Sequence, residues 1–547
     1  MSFVNVASCL AERARDEPNR VALILPDRRF RKGRQYTYAQ LHRESDGLAR
    51  GLVSVGIGRG VRTALMVRPG FDFFALVFAI AKVGAVPVII DPGMGLRSLK
   101  TCLADAAPRA FIGIPSAHAA RVALGWSRST LEIRVTVGAP ALFGGVSLGE
   151  VRQAGTSDTP FPIAETRPDE VAAILFTSGS TGPPKGVVYT HGNFAAQIEA
   201  LRAISDIKPG EKDLATFPLF ALFDPALGMT TVVPDMDPSR PANVDPAKII
   251  GPILEHGVTT MFASPAVLTR VARYGCAKKT RLPSLKRVIS AGAPVPEAVI
   301  AQFLSMLSDD AQIITPYGAT EALPVTSITS AELLSGELRA RTMEGAGVCV
   351  GKPVATMRVS VIGIDDEPIA AWTDALTQPI GEIGEIVVRG PVVTGTYFNA
   401  SAATKQAKID DGGAVVHRMG DVGYMDSEGR LWFCGRKAHR VVTRGETLFS
   451  VPCEGVFNAH ADVFRTALVG VRTGAHVLPV LCVELERSAK RADRARVVRE
   501  LLELGKKQPH TRGITTILVH RGFPVDARHN SKIVREKLAI WAERRLS

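Results

Sequence analysis

Cysteine is scarce and scattered: Cys9, Cys102, Cys276, Cys349, Cys434, Cys453 and Cys482 are the only seven in 547 residues, and none forms a CxxC pair. An odd count at irregular intervals supports neither a zinc site nor a disulfide framework, and it fits a reducing, cytoplasmic setting. Aromatic residues make up only 6% of the chain, and no helix-turn-helix, RNP or zinc-finger pattern accompanies the net charge of +13. With so few stacking platforms and no reading motif, nucleic acid is not the expected partner. Long apolar runs are missing as well. The longest, 71–90, is broken by Asp72, Lys82, Gly84 and Pro87, so no transmembrane segment is expected and the run reads as a buried helix followed by a strand. The opening segment MSFVNVASCLAERARDEP has no basic flank leading into an apolar core, and it does not read as a signal peptide. Internal repeats and long low-complexity linkers are absent.

What remains is ordinary for a folded protein: 46% hydrophobic and 22% charged residues, in a chain too long for one small core. Strand-like runs VRTALMV (61–67), AVPVII (85–90) and AAILF (172–176) alternate with helix-like stretches such as 38–55, which predicts a layered α/β architecture. Near residue 434 the texture changes, and the remaining tail of about a hundred residues is long enough for a small domain. The expected division is 1–433, a hinge at 434–440, and 441–547. The basic cluster at 487–499 is spaced by alanines and valines and reads as the solvated face of a helix.

The most informative segment is Thr177-Ser178-Gly179-Ser180-Thr181-Gly182-Pro183-Pro184-Lys185-Gly186, directly after the AAILF run. Glycines expose backbone N–H groups, hydroxyls add donors and Lys185 adds charge, so the loop suits a polyphosphate. It is not a Walker A loop, because Pro184 precedes the lysine and Gly186, not Ser or Thr, follows it.

This loop resembles the phosphate-binding signature of the adenylate-forming superfamily, which includes acyl-CoA synthetases, luciferases and nonribosomal adenylation domains. Further segments are similar to the same family in the same order: the loop from Ser290 through Gly292, Ala293 and Pro294 on the adenine side; Tyr317-Gly318-Ala319-Thr320-Glu321; Met419-Gly420-Asp421 with Gly435-Arg436 for the ribose; and the loop 524–532 ending in Lys532. The resemblance implies a large αβαβα-like N-terminal adenylation domain and a small mobile α+β C-terminal domain. It implies ATP as cosubstrate and Mg²⁺ on its phosphates, with Glu321 a hard oxygen ligand for the metal. Tyr317 can stack on a purine, Thr320 can hydrogen-bond a phosphate oxygen, and Asp421 with Arg436 can hold ribose hydroxyls. Alignment brings Lys532 to the carboxylate and α-phosphate, so Lys532, Thr320 and Glu321 are the expected catalytic residues.

Phe217, Phe220, Leu222, Phe223, Asp224 and Phe262 lie in the segments where relatives bind the acyl group. The departures concern the second step. Ala438 stands two positions after the GR arginine where CoA ligases usually carry a charged hinge residue, and Val442 stands where they have lysine. The strings FALFDPALG, PDMDPSRP, HRMGDVGY and LWFCGRK resemble the β-lactone-forming branch that works in bacterial long-chain olefin biosynthesis. That branch adenylates a 2-alkyl-3-hydroxy fatty acid, whose own 3-hydroxyl then displaces AMP. The alternative is a medium- or long-chain acyl-CoA ligase of the same fold. For the β-lactone branch the implied partners are an α/β-hydrolase-like β-lactone decarboxylase and an NADPH-dependent reductase. Asp224, Asp235, Asp237 and His191 remain open candidates for the base that takes the hydroxyl proton, and the Asp235-Asp237 stretch also reads as an aspartate-capped turn.

Overall fold

The computed structural model describes residues 4–27, 30–176, 183–474, 476–486, 489, 494–525 and 532–546. The run 71–90 folds as expected, into the helix Phe71–Lys82, buried from Phe73 onward, and the strand Val86–Ile89. Its misfit residue, Lys82, is fully buried, and its ammonium donates to Asp46 Oδ1 at 2.5 Å and Ser45 Oγ at 2.7 Å. Burial pulls its pKa down to about 8 against the pull of Asp46, and pairing with hydrogen bonds is what makes a buried cation tolerable. The helix Tyr38–Ser54 begins where Thr37 and Gln40 form a reciprocal capping box, which satisfies two otherwise orphaned N–H groups.

Seven strands form one sheet, in the order Val146–Ser147, Ile133–Thr136, Ala110–Gly113, Arg62–Met66, Val86–Ile89, Val171–Phe176, Gly186–Thr190. Only the last pair is antiparallel. A nine-stranded sheet has a parallel centre that includes Lys212–Ala215, Thr260–Phe262, Arg287–Ile289 and Gln312–Ala319. One core joins Leu65 and Ile112 of the first sheet to Leu23, Ala215 and Val233 beside the second, with Leu48, Leu52, Phe74 and Phe78 of the two helices between them. The outer face of the seven-stranded sheet packs on the helices Leu96–Ala106 and Pro115–Leu124 through Leu99, Leu103 and Ala117. The far face of the nine-stranded sheet packs on Ala247–His256, Pro265–Ala277 and Glu297–Leu304. The result is an αβαβα stack, the layering that buries both faces of parallel sheets.

A six-stranded antiparallel sheet follows, with Gly384–Arg389, Ala414–Met425 and Leu431–Arg436 at its centre. Beyond it, the hairpin Val463–Thr473 and His476–Leu485, the strand Thr516–His520 and the helices Ser450–Asn458, Arg494–Lys506 and Arg535–Leu546 enclose cores of their own. Arg496, in the described part of the basic cluster, pairs with Asp462 at 2.6 Å and Glu500 at 2.7 Å on an exposed helix face. Among the described residues, no helix is long and apolar enough to cross a membrane.

Candidate active site

The carboxyl ends of the parallel strands in both large sheets, together with the six-stranded sheet, surround one cavity of about 1550 Å³. Open α/β sheets bind ligands at this edge, outside the carboxyl ends of their strands. Lys185, Gly292, Gly318, Ala319, Thr320, Glu321, Arg436 and Lys532 all line it. Segments scattered over almost 350 positions of the chain thus meet in one place. Thr177, Ser178, Gly179, Ser180, Thr181 and Gly182 lie outside the described residues, as do residues 526–531 before Lys532. Ala293 and Pro294 follow the lining residue Gly292 without lining the cavity themselves, and Tyr317 and Asp421 stand just behind the wall.

Strand register explains why the ribose-type residues converge. Asp421 in Ala414–Met425 is the direct antiparallel partner of Arg436 in Leu431–Arg436. Arg436 Nη1 lies 2.9 Å from Asp421 Oδ1, and the Tyr317 hydroxyl donates to Oδ2 at 2.6 Å. Asp421 is 4% exposed, so this is not a surface ion pair. Burial pushes its carboxyl above the usual carboxylate range, with Arg436 the main opposing influence. The Tyr317 hydroxyl is driven up by burial and by the neighbouring carboxylate. Although Arg436 neutralises Oδ1, no donor among the described residues is aligned for a hydrogen bond to that oxygen. An acceptor of this kind calls for a donor, such as a ligand hydroxyl.

Glu321 is held from a distant part of the chain. Its Oε1 accepts from the Tyr397 hydroxyl at 2.7 Å, and Thr394 donates from its backbone N at 2.9 Å and its Oγ1 at 3.1 Å to the Glu321 carbonyl. Lys408 donates to the Thr394 carbonyl at 2.5 Å, and burial lowers its pKa to about 7 while Glu321 pulls the other way. Lys185 sits 5.1 Å from the Tyr397 ring centre. His417, 2% exposed, holds Nδ1 against the Ala407 carbonyl at 3.1 Å. Burial, with the charges of Lys408 and Lys185, keeps its imidazole neutral. Sequence reasoning missed Tyr397, Lys408 and His417, since single residues dozens of positions from Glu321 carry no spacing signal. His417 alone was accessible, through its place in the HRMGD string.

The apolar wall contains Phe217, Phe220, Leu222, Phe223 and Phe262. Phe220 stacks on Phe262 at 4.3 Å between ring centres and meets Phe223 edge-on at 5.9 Å, arrangements that aromatic quadrupoles favour. Asp224 is a correction: it does not line the cavity. The chain passes from the short turn Phe220–Phe223 into the helix Asp224–Leu227, and the carboxylate is turned inward, where Thr231 Oγ1 donates to its Oδ2 at 2.5 Å. The other base candidates also have structural partners: Asp235 pairs with Lys248 at 2.6 Å, Asp237 caps a turn through Ser239 N at 3.0 Å, and His191 is buried beside Val6.

Asp224 neighbours Asp213, another buried carboxylate, and burial raises both, Asp224 to about 7. A carboxyl whose folded pKa lies above its unfolded value imposes no penalty at low pH, and the penalty grows as pH rises from the unfolded to the folded pKa. Asp224→Asn is therefore expected to raise the unfolding free energy at pH 8 by at least about 1.4 kcal/mol, the equivalent of one pKa unit. In urea titrations the gain shrinks towards pH 4; an equal gain at both pH values contradicts the assignment.

Residues 10–398 match the family model described as AMP-binding enzyme. The chain is 51% identical over 551 residues to the olefin beta-lactone synthetase of Xanthomonas campestris pv. campestris, covering 99% of this chain and 98% of that protein. It is 49% identical to the olefin beta-lactone synthetase of Stenotrophomonas maltophilia, with the same coverage. In fold it is similar to the amide bond synthetase McbA from Marinactinospora thermotolerans, with a TM-score of 0.79 at 23% identity over 98% of this chain and 99% of that one.

Proposed function

The chain belongs to the AMP-binding enzyme family, and from that premise we propose that it is an ATP-dependent β-lactone synthetase acting on 2-alkyl-3-hydroxy long-chain fatty acids. One observation carries the reading: near-half identity along the full length to olefin beta-lactone synthetases, in a chain where Lys185, Thr320, Glu321, Arg436 and Lys532 line the same cavity as the apolar wall. In the first step a carboxylate oxygen attacks the α-phosphorus of ATP and pyrophosphate leaves. In the second, the 3-hydroxyl oxygen attacks the acyl carbon, the bond to the phosphate oxygen breaks, AMP leaves and the hydroxyl proton passes to a base. A tethered hydroxyl has a high effective molarity, which favours capture within the same molecule.

Under this reading Asp421 and Arg436 take the ribose hydroxyls, with Asp421 Oδ1 as the acceptor still lacking a donor, and Tyr317 stiffens that carboxylate. Thr320 and Lys185 face the phosphates. Glu321, a hard oxygen donor oriented by Tyr397 and lining the cavity beside Thr320, fits Mg²⁺; when bound, the metal neutralises charge on the phosphates. Lys532 neutralises charge developing between carboxylate and α-phosphate. Residues 434–440 form the hinge between an adenylation domain, 1–433, and a smaller domain, 441–547. The enzyme then works in the cytoplasm between an NADPH-dependent reductase that supplies the hydroxy acid and an α/β-hydrolase-like decarboxylase that consumes the lactone.

The test compares a 2-alkyl-3-hydroxy acid with its 3-deoxy analogue in the absence of CoA. The hydroxy acid is expected to release pyrophosphate and AMP continuously in equal amounts. The deoxy acid is expected to give a single burst of pyrophosphate, about one equivalent per site, because its adenylate has no internal nucleophile. Continuous turnover of both acids at the same rate contradicts the proposal.

A further inference from the structure

The cavity runs along the carboxyl ends of the strands of the seven-stranded sheet. Successive residues of a strand point to opposite faces of the sheet, and the cavity touches both members of three consecutive pairs: Leu65 and Met66, Ile89 and Ile90, Leu175 and Phe176. The three pairs stand at the carboxyl ends of neighbouring parallel strands, Arg62–Met66, Val86–Ile89 and Val171–Phe176. The cavity therefore continues on both sides of the seven-stranded sheet. Packing agrees: Leu65, Phe73 and Val77 belong to the core between the sheets, whereas Met66, Ile90, Leu99, Trp126 and Phe176 belong to the core on the outer face.

The inner lobe follows the helix Phe71–Lys82, touching Phe73, Val77 and Ala81, and reaches Ile198, Val6 and Cys9. At the helical rise of 1.5 Å per residue, Phe73 to Ala81 alone spans roughly 12 Å. The outer lobe is walled by Leu99, Ala117 and Trp126 opposite Ile90 and Phe176, and Leu96, 57% exposed, stands at its rim. The walls named for both lobes are mainly apolar, and both belong to the cavity that holds the aromatic wall.

We propose that the outer lobe is a second acyl site: one alkyl chain of the branched acid lies between the two sheets, the other lies on the outer face, and the strand ends divide them. The inference rests on the substrate class given above. Chains leaving adjacent carbons, C2 and C3, diverge at their root, and a cavity with apolar walls on both sides of the sheet removes both from water without pressing them together.

The test uses full-length Ala117→Phe for the outer lobe and Ile198→Phe for the inner one. Both residues line the cavity and retain partial exposure, so a larger side chain at either position takes up space in its lobe. Four 3-hydroxy acids carry a methyl or decyl branch at C2 combined with a methyl or decyl chain at C3, and pyrophosphate release reports kcat/KM. Overpacking is expected to cost each variant about tenfold or more on acids with a decyl chain at one position. The sensitive position differs between the variants, and the acid with two methyl groups is turned over as by the wild type. Sensitivity to the same chain in both variants, or an Ala117→Phe enzyme indifferent to chain length, overturns the proposal. Should Ala117→Phe lose all four acids, the smaller Ala117→Leu makes the same comparison. A wild type that activates the acids but forms no lactone contradicts the cyclisation reading, and the variants still decide the lobes through pyrophosphate.

Discussion

Lys532→Ala is expected to slow pyrophosphate release by about 10²–10³-fold, the usual cost of removing one preorganised charge partner. Lys532 lines the cavity with Thr320, Glu321 and Arg436, and its charge, after Arg436 and Tyr317, opposes the rise that burial imposes on the Asp421 carboxyl. Its position is built from both sides. Val525 and Ile533 form an isolated bridge around the loop, and Arg535 at the start of the last helix donates to Glu454 Oε2 at 2.9 Å and to the Leu468 carbonyl at 3.2 Å. The residues that flank 526–532 are thus tied to the small sheet. Because the role proposed for Lys532 concerns charge that develops during reaction, ATP affinity is expected to change far less than the rate. Rapid-quench measurement of pyrophosphate with saturating ATP and acid separates the two; a loss below tenfold, or one confined to KM for ATP, contradicts this role.

The second large effect is on stability. Glu385, 1% exposed, accepts from Arg418 Nη2 at 2.6 Å and from Lys437 at 3.2 Å. Arg418 also donates to the Glu367 carbonyl at 2.6 Å, Lys437 to the Asp365 carbonyl at 2.7 Å, and Arg440 to Asp366 at 2.5 Å. One buried carboxylate therefore holds two cations, and through Lys437 it ties the segment after Leu431–Arg436 to the antiparallel sheet. Glu385→Gln leaves the buried Arg418 without its counter-charge, while Lys437 keeps Asp366 at 3.9 Å, and is expected to lower the unfolding free energy by about 3–5 kcal/mol. Replacing the pair together, as Glu385→Leu with Arg418→Met, recovers the part of that loss that belongs to the uncompensated Arg418 charge, since Lys437 retains Asp366. Urea unfolding of the single and double variants checks both statements; a single variant within about 1 kcal/mol of wild type, the size of a surface pair, refutes them.

The two predictions differ in how much of their basis could be read from residue order. Lys532, Asp421 and Arg436 belong to strings whose local chemistry and order along the chain were legible, and strand register then brings Asp421 opposite Arg436. The buried helix Phe71–Lys82 was equally legible, because from Phe73 onward its apolar run is broken only where Lys82 finds Asp46. Glu385 was not legible. It meets Arg418 only because an irregularity in the pairing of Gly384–Arg389 with Ala414–Met425 shifts the register between them. Tyr397 reaches Glu321 across 76 positions with no local pattern. Asp224 misled for a related reason: five apolar neighbours placed it on the cavity wall, but a short helical turn rotates its side chain to the opposite side. Motifs encode chemistry locally, whereas orientation comes from pairing and turns that the motif does not contain.

The central claim is that the acyl adenylate is captured by its own hydroxyl. The most direct measurement is an NMR product assay, with purified enzyme, ATP, Mg²⁺ and a 2-alkyl-3-hydroxy fatty acid kept cool, run with and without CoA. The account predicts a β-lactone formed equally well in both samples. A thioester, formed only when CoA is present, would contradict it and make the chain an acyl-CoA ligase built on the same adenylation site.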